Sequence, residues 1–382
     1  MRVGFITSEY PHPRVSHAAG IGTSIKNLAV ALVKKEIGVT VFVYHQKEDA
    51  VIKDGDVIIH LIAKRKHQFL TWYHYRLYLQ RYINSVVKQE GIDILEAPDW
   101  TGITAFMKLK APLVIRLHGS DAYFCKLENR KQKFKNFFFE KMALKNAKAY
   151  IAPTTYAGIE TRKIFGLEKN KIKTIHYGLQ LEHFENATPE DYNRNSILYI
   201  GTIIRKKGVF ELATIFNKVI ELNPGAKLIL IGNDAPDIKS DEKSTYKLVE
   251  KIFSSKAKRH VSYLGKIPYN EVKEHIKNAH VCVFPSFAET LGMVSIESMA
   301  MEKPVVNTSI GWAQELMDDG INGYLVHPSN TDLYAERISK LLNDEKLCFE
   351  IGKSARQKVE TLFDIDKNAC INIAYYKSIL NT

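Results

Sequence analysis

Two glutamates stand eight positions apart in a stretch that is otherwise apolar enough for a protein core, FAETLGMVSIESMA (287–300). Glu289 follows the predicted strand HVCVFPS, and Glu297 is expected in the first turn or so of a helix that begins near Met293. An unpaired buried carboxylate is costly, so both side chains need partners. Either they bind a ligand, or Glu289 caps the helix and Glu297 is a solvated acid favoured by the helix dipole.

The backbone between these glutamates is a natural site for an anion. The first amides of a helix have no partner within the helix and point beyond its N-terminus. A phosphate would bind these amides while sugar hydroxyls contact the two carboxylates. The residues that would form this cradle are Thr290, Leu291, Gly292, Met293 and Val294.

A basic loop, GTIIRKKGVF (201–210), also connects a predicted strand to a predicted helix. Arg205, Lys206 and Lys207 precede Gly208 in this loop. Three cations at a helix N-terminus suit a pyrophosphate. A solvated basic turn has the same composition, so the loop taken alone leaves both interpretations open.

Two polar residues follow predicted strands in the first half of the chain. His118 comes directly after LVIRL, where an imidazole can donate or accept near neutral pH. A structural histidine bonded to a backbone carbonyl would give the same pattern. Asp99, in EAPDW (96–100), is placed to contact hydroxyls. Ligands of open parallel sheets bind beyond the carboxyl ends of the strands, so both residues are site candidates.

A pair of glycines opens the first long predicted helix, in AAGIGTSIKN (18–27). Gly20, Ile21 and Gly22 would let a phosphate or an acceptor approach the backbone closely. The loop is a poor dinucleotide fingerprint, because it comes well after the first strand and Ile25 stands in the place of the third glycine. An NAD-dependent dehydrogenase is therefore disfavoured.

Strands alternate with helices along the chain, which indicates an α/β fold with parallel sheets. A polar stretch, ENATPEDYNRNS, interrupts this alternation and is typical of a linker. We predict two parallel-sheet α/β domains, 1–185 and 197–362, joined by a linker at 186–196. The segment 363–382 is predicted to form a final helix.

Composition narrows the class of protein. The 382 residues are 45% hydrophobic and 25% charged, and the four cysteines include no CxxC pair. This fits a globular protein of a reducing compartment and argues against a zinc site or a disulfide framework. No apolar leader or run of about 18 apolar residues is found. The sequence predicts a cytoplasmic protein.

The net charge of +12 lies entirely in the first half. Residues 1–185 hold 29 of the 54 Lys and Arg but only 17 of the 42 Asp and Glu, which predicts an anionic partner. Segments 64–84 and 130–148 interleave cations with aromatic residues, as in amphipathic helices that lie on an anionic membrane. Ordinary helices with solvated basic faces fit equally well. No nucleic-acid motif is present, and no nucleic-acid partner is expected.

Taken together, these motifs resemble those of the retaining glycosyltransferases of family 4, over essentially the whole chain. The E-x7-E motif is the most specific, and the AGIG, His118 and RKKG stretches fall in the expected order. The segment SIGWAQELMDDGINGYLV (309–326) is similar to a further stretch of that family. The resemblance implies a GT-B fold: two facing Rossmann-like parallel-sheet domains, with a C-terminal helix that crosses back to the first.

The resemblance also implies roles for the site residues. Glu297 would bind the ribose of the nucleotide, and Glu289 would contact hydroxyls of the donor sugar. The amides near Gly292 and Met293 would hold the pyrophosphate, aided by Lys207. In the first domain, the acceptor would bind near the Gly20–Gly22 loop and Asp99, with His118 beside the transferred sugar.

Two positions depart from the family pattern. The residue after the glycine of the basic loop is usually Arg and is Thr202 here, so Arg205 is expected to supply the missing cation. Where the family usually has N-G-[VI]-D, this sequence has YGLQ (177–180). This difference concerns the choice of donor rather than the fold. Two Asp-x-Asp pairs, at 54–56 and 364–366, do not follow strands as a metal-dependent GT-A enzyme requires, and no metal or other cofactor is expected.

The resemblance therefore implies a retaining, hexosyltransferase-like enzyme that takes a UDP- or GDP-linked sugar and glycosylates a hydroxyl in cell-surface polysaccharide synthesis. A glycan or a lipid-pyrophosphate-linked acceptor, met at the inner face of the plasma membrane by a peripheral protein, would explain the basic first domain. Two alternatives remain open: a nucleotide-sugar epimerase, and a homologue that binds a nucleotide sugar without turnover.

Overall fold

The computed structural model describes residues 1–66 and 68–381. The chain divides into two compact units. Unit 1 comprises Met1–Gln180 together with the segment from Asp364 to the C-terminus, and unit 2 comprises Leu181–Phe363. His67, in the basic and aromatic segment 64–84, lies outside the described residues.

Unit 1 is built on an eight-stranded sheet with the order β3-β4-β2-β1-β5-β6-β7-β8. Its strands are parallel except for β3, which pairs antiparallel with β4. The bounds are β1 Arg2–Thr7, β2 Gly38–Gln46, β3 Ala50–Asp54, β4 Val57–Ala63, β5 Ile94–Pro98, β6 Leu113–Arg116, β7 Ala149–Ala152 and β8 Ile172–Thr174.

Unit 2 is built on a six-stranded sheet with the order β11-β10-β9-β12-β13-β14, in which all the described pairs are parallel. The strands are short and mostly buried on both faces, as expected when helices cover both sides of a parallel sheet. The bounds are β9 Ser196–Ile200, β10 Lys227–Ile231, β11 Val261–Gly265, β12 Val281–Phe284, β13 Val305–Asn307 and β14 Tyr324–Leu325.

Thirteen α-helices are found in the described part of the chain. None of them is both long enough and apolar enough to cross a bilayer. Their bounds are α1 Gly20–Lys34, α2 Thr71–Glu90, α3 Asp121–Leu127, α4 Phe134–Lys145, α5 Thr155–Phe165, α6 Val209–Leu222, α7 Thr245–Glu250, α8 Ser255–Lys258, α9 Tyr269–Lys277, α10 Met293–Ala300, α11 Thr331–Asn343, α12 Glu345–Leu362 and α13 Ile365–Leu380.

Apolar side chains at helical spacing hold these helices on the sheets. In α6, Val209, Leu212, Ala213 and Phe216 fall on one face, and all four are buried in the core of unit 2. The sheet of unit 1 has one apolar cluster that includes α2 and another that includes α1 and α13. Burial of both faces explains why strands such as β6 contain no exposed residue.

The final helix, α13, belongs to unit 1 and is tied to its sheet by a buried polar network. The guanidinium of Arg116 donates to both carboxylate oxygens of Glu96, at 2.7 and 2.9 Å. It also donates to Oδ1 of Asn372 at 2.6 Å, and the Tyr376 hydroxyl donates to Glu96 at 2.6 Å. Both partners from α13 thus satisfy charges in the middle of β5 and at the end of β6.

The structure confirms two parallel-sheet α/β units and the strand–loop–helix order around the predicted sites. The helix α10 begins at Met293, as predicted, and Glu297, its fifth residue, lies just past the first turn, which holds no acid. The antiparallel hairpin β3–β4 was not predicted. Its turn is formed by residues 54–56, one of the two Asp-x-Asp pairs. The other pair begins with Asp364, which caps α13 through the amides of Asp366 and Lys367.

Candidate functional site

The loop that follows β12 in unit 2 leads directly into α10, as the sequence predicts. Gly292 precedes the helix with φ of 90°, a left-handed conformation that favours glycine, and no side chain caps the helix there. Met293 and Val294 are only half-buried, while Thr290 and Leu291 are buried. The loop and the first turn of α10 therefore present an uncapped, accessible helix N-terminus, which suits an anion.

Glu297 lies in the second turn of α10 with only 8% of its surface exposed. The hydroxyl of Tyr269, from the start of α9, donates to Oε1 of Glu297 at 2.7 Å. Burial raises the pKa of Glu297 to about 7, although the Tyr269 hydrogen bond and the nearby Lys273 oppose that rise. The carboxyl group is therefore poised to change charge near neutral pH, unlike a solvated helix acid.

Glu289 forms an ion pair with Lys207, which joins the two loops that the sequence analysis considered separately. The hydroxyl of Ser286 lies 3.4 Å from the same carboxylate oxygen. The two loops are also joined by their backbones, since the amide of Phe287 donates to the carbonyl of Lys206 at 2.7 Å. The basic loop 201–210 and the loop that follows β12 thus form a single surface of unit 2.

Gly208 makes this close approach of the two loops possible. Its φ is 69°, and a Cβ atom at this position would collide with the carbonyl oxygen of Pro285. Any other residue would push the basic loop away from the strand end of β12. The glycine of the RKKG stretch is therefore needed to place Lys207 beside Glu289.

Arg205 is engaged elsewhere. Its guanidinium donates to both oxygens of Asp237, at 2.5 and 2.9 Å, and lies 4.2 Å from the ring centroid of Phe210. The hydrogen bonds from Arg205 hold the pKa of Asp237 well below its usual range. Thr202 is exposed and has no cationic side chain to offer. In this structure Lys207, rather than Arg205, is the cation of the loop that contacts Glu289.

His118 lies directly after β6 in unit 1, as predicted, and stacks on a residue that the sequence analysis did not select. The Nδ1 atom of His118 and the hydroxyl of Tyr177 share a hydrogen bond of 2.7 Å, and the two rings are nearly parallel, with centroids 5.4 Å apart. Burial, together with the charge of Arg116, lowers the pKa of His118 to about 3. The imidazole is therefore neutral at physiological pH.

Asp99 follows β5, as predicted, but it is completely buried. Neither carboxylate oxygen makes a well-formed hydrogen bond within the described residues, although the amides of His118 and Gly119 lie nearby. Burial, and then the charge of Glu140, raises the pKa of Asp99 to about 8. Asp99 is thus a protonated acid at neutral pH, and its proposed contact with substrate hydroxyls stays a prediction.

Replacing Asp99 by Asn is expected to flatten the dependence of stability on pH. The raised pKa means that the folded protein keeps a proton that the unfolded chain releases above pH 4. This stabilisation is complete below about pH 4 and is lost as the pH rises to 8. Between pH 5 and 8, wild type should lose about 1.4 kcal/mol per pH unit relative to the variant. Thermal melts across this range measure the difference, and parallel curves would contradict a buried, protonated Asp99.

The glycines of the AGIG stretch begin α1, as predicted. The carboxylate of Glu9 lies beside the amides of Ala19, Ile21 and Gly22. A Cβ atom on Gly22 would come within 2.8 Å of the carbonyl oxygen of Glu9, so the two segments are tightly packed. An anion that binds these amides would have to displace Glu9. The backbone at Gly20 and Ile21 is therefore not an open anion site, and the binding role of these residues stays a prediction.

Tyr269, Tyr177 and Asp237 are the partners that the sequence analysis missed. Tyr269 is 28 residues from Glu297, and Tyr177 is 59 residues from His118. Sequence spacing could not predict these contacts, because the two residues of each pair belong to different βα units. Within the described residues, no group of three or more His, Cys, Asp and Glu side chains is arranged to hold a metal.

Two family descriptions match the chain, one over each half: Glycosyltransferase Family 4 over residues 18–183, and Glycosyl transferases group 1 over residues 181–358. An uncharacterized glycosyltransferase of Methanocaldococcus jannaschii is 28% identical over 89% of this chain and 90% of its own length. A capsular polysaccharide biosynthesis glycosyltransferase of Staphylococcus aureus is 32% identical, over 51% of this chain and 52% of its own length.

A solved structure supports the same fold. The Anabaena protein HepE in complex with UDP has a TM-score of 0.75 and 17% identity, over 99% of this chain and 100% of that one. The structural similarity to HepE, at 17% sequence identity, indicates a shared fold, and this fold is GT-B. From these matches and the two parallel-sheet units, the chain belongs to the group 1 glycosyl transferases of family 4, which are retaining GT-B enzymes.

Proposed function

We propose that the chain moves a sugar from a UDP- or GDP-linked donor to a hydroxyl of a glycan or a lipid-linked acceptor, with retention of the anomeric configuration. The observation that carries the proposal is the burial of Glu297 beside the uncapped N-terminus of α10. A carboxylate in such a place needs hydroxyl donors beyond Tyr269, and a ribose supplies two of them. The adjacent helix amides would then face the pyrophosphate.

Lys207 and Glu289 are proposed to exchange partners when the donor binds. In the free protein they neutralise each other in an ion pair. A pyrophosphate on the amides of Met293 and Val294 would draw Lys207 to its oxygens, because phosphate carries more charge than the carboxylate. Glu289 would then contact the donor sugar. As the bond to phosphate breaks, Lys207 and the amides stabilise charge on the leaving group.

His118 is proposed to act as a hydrogen-bond donor rather than as an acid. With a pKa near 3, it holds no second proton to give at neutral pH. Donation from the Tyr177 hydroxyl to Nδ1 would place the ring proton on Nε2. That N–H would orient a hydroxyl of the transferred sugar, and the pH profile of turnover should show no limb from this histidine between pH 5 and 9.

We propose a role in cell-surface polysaccharide synthesis, performed by a cytoplasmic protein at an anionic membrane. The similarity to the capsular polysaccharide glycosyltransferase supports the process. Support for the membrane comes from α4, where Phe134 and Phe138 are 81% and 41% exposed and their rings are stacked 6.3 Å apart. Lys131, Lys133 and Lys135 are exposed around them. Apolar rings among lysines suit an anionic bilayer surface.

Replacing Phe134 and Phe138 together by Ser is expected to abolish flotation with liposomes of anionic lipid at low salt. The wild-type chain should float with them and should be released at high salt, because the attraction is screened. Phe349→Ser removes an exposed phenylalanine from unit 2 and serves as the matched control. If wild type fails to float, or if the control loses as much binding as the double variant, the membrane proposal is lost.

The transfer reaction itself is tested by product analysis. The chain is incubated with UDP- and GDP-linked sugars, with and without an acceptor extract, and the released nucleoside diphosphate and the anomeric signals are followed by NMR. A transferase should release nucleotide only with acceptor and should form an α-linkage from an α-linked donor. Conversion of the donor alone would favour an epimerase, and binding without turnover would favour a non-catalytic homologue.

A further inference from the structure

Unit 1 contains a cavity of about 400 Å³ that none of the predicted roles uses. It opens where β1, β2, β4 and β5 end, since its lining includes Ser8, His45, Lys64 and Trp100. This is the edge of a parallel sheet at which ligands bind. The volume is large enough for a sugar ring.

Arg76, from α2, lines this cavity and has no carboxylate partner among the described residues. It is 8% exposed, and its Nη1 and Nη2 atoms donate to the carbonyls of Trp72 and Gly102, at 3.0 and 3.2 Å. Its Nε–H has no hydrogen-bond partner in the same part of the chain. A buried guanidinium without a counter-ion is costly, so an anion is expected to complete it.

The two acids in the cavity wall do not supply that anion. Asp121 pairs with Arg130 at 3.3 Å and accepts from the amide group of Asn136 at 3.0 Å. Glu140 accepts from the amides at the start of α3, at 2.8 and 3.2 Å. Burial raises the pKa of Glu140 to about 7, so it is half protonated at neutral pH. Positive charge from Arg76 therefore remains in excess.

Aromatic rings form the rest of the wall. Trp72 packs against Phe139 with ring centroids 4.9 Å apart, and Arg76 lies 4.6 Å from the centroid of Phe139. Trp100 also lines the cavity and is 40% exposed. An indole face suits the apolar C–H face of a pyranose, and a guanidinium that is held against a ring cannot swing away from a ligand.

We propose that this cavity is the subsite for an acceptor sugar that carries one anionic group, a carboxylate or a phosphate, which Arg76 binds. The guanidinium fork matches both anions, whereas neutral pyranoses leave it unpaired. This inference rests on the proposed function, since it names the class of acceptor for the same reaction. It also gives a function to one of the excess positive charges of residues 1–185, that of the buried Arg76.

Calorimetric titration with three monosaccharides tests the assignment: methyl glucuronoside, glucose 6-phosphate and neutral methyl glucoside. Wild type should bind at least one of the anionic sugars about tenfold or more tightly than the neutral one. Arg76→Met, which keeps the volume, should erase this preference, and Arg76→Lys, which keeps charge without the fork, should retain part of it. Arg65→Met is the matched control, because Arg65 lines the same cavity but pairs with Asp49 at 2.6 Å.

Each outcome decides the proposal. If the glucuronoside binds most tightly, the acceptor carries a carboxylate, and if glucose 6-phosphate binds most tightly, the acceptor is phosphorylated. If both anionic sugars bind equally well and more tightly than methyl glucoside, the site selects by charge alone. Equal binding of all three sugars, no binding of any, or an Arg65 variant as weak as the Arg76 variants overturns it. Nucleoside diphosphate binding by unit 2 is measured on every variant. Its persistence shows that only the acceptor assignment has failed, and its absence from wild type shows that the proposed function has failed.

Discussion

Replacing Glu289 by Gln is expected to lower turnover of the donor about a hundredfold or more, while the Kd for the nucleoside diphosphate changes less than about threefold. Gln keeps the size of the side chain but removes the negative charge that would face the donor sugar as its bond to phosphate breaks. Loss of one such electrostatic contact costs on the order of 10² to 10³ in kcat. Nucleotide affinity is spared because Lys207 is released from its ion pair and stays available to the pyrophosphate.

Two measurements on one protein separate these effects: kcat from released nucleoside diphosphate, and Kd from calorimetry. Glu271→Gln is the matched control, because Glu271 is an exposed first-turn acid of α9 and represents the solvated helix acid that was the alternative interpretation. It should change neither quantity. If Glu289→Gln behaves like this control, Glu289 has only a local structural role.

Replacing Glu297 by Gln is expected to weaken nucleoside diphosphate binding about tenfold to a hundredfold and, at the same time, to stabilise the free protein at alkaline pH. The first effect follows from loss of a charged acceptor for the ribose hydroxyls. The second follows from burial, which raises the pKa to about 7. The stabilisation from the protonated group is complete below about pH 4 and is lost as the pH rises through 7, so ionised Glu297 destabilises the fold.

Thermal melts at pH 5 and pH 8 measure the stability effect without any ligand. At pH 8 the Gln variant should be more stable than wild type by on the order of 3 kcal/mol, and at pH 5 the difference should be small. Wild-type affinity for the nucleotide should also rise from pH 6 to pH 8, as the carboxylate forms. A Glu297→Gln variant that binds nucleotide normally, or that is less stable at both values, would place this carboxylate outside the donor site.

The sequence predicted those features of the candidate site that are formed by residues close together in the chain. The strand–loop–helix order around Glu289, the glycines that open α1 and the position of His118 after β6 all follow from patterns within about ten residues. The resemblance to family 4 predicted the GT-B fold, and the two parallel-sheet units with their likeness to the solved HepE structure confirm it. The start of α10 at Met293 was also predicted, and Glu297 lies just past its first turn.

What the sequence could not predict are contacts between separate βα units. Arg205 looked like a free cation beside Thr202, but tertiary structure pairs it with Asp237, 32 residues away. Segment 64–84 left a membrane-surface helix and an ordinary domain helix equally open. The structure buries Tyr75 and Leu79 of α2 in the core of unit 1, whereas Phe69, before the helix, is exposed. The hairpin β3–β4 was missed because β3 is a short edge strand that contains no buried residue.

The central claim is that unit 2 binds a nucleoside diphosphate at the N-terminus of α10. The most direct test is calorimetric titration of the wild-type chain with UDP, GDP, ADP and NAD, in the absence of added metal. The account predicts that one of the nucleoside diphosphates binds to a single saturable site and that NAD does not bind. Binding of NAD alone, or of none of the four, would contradict it.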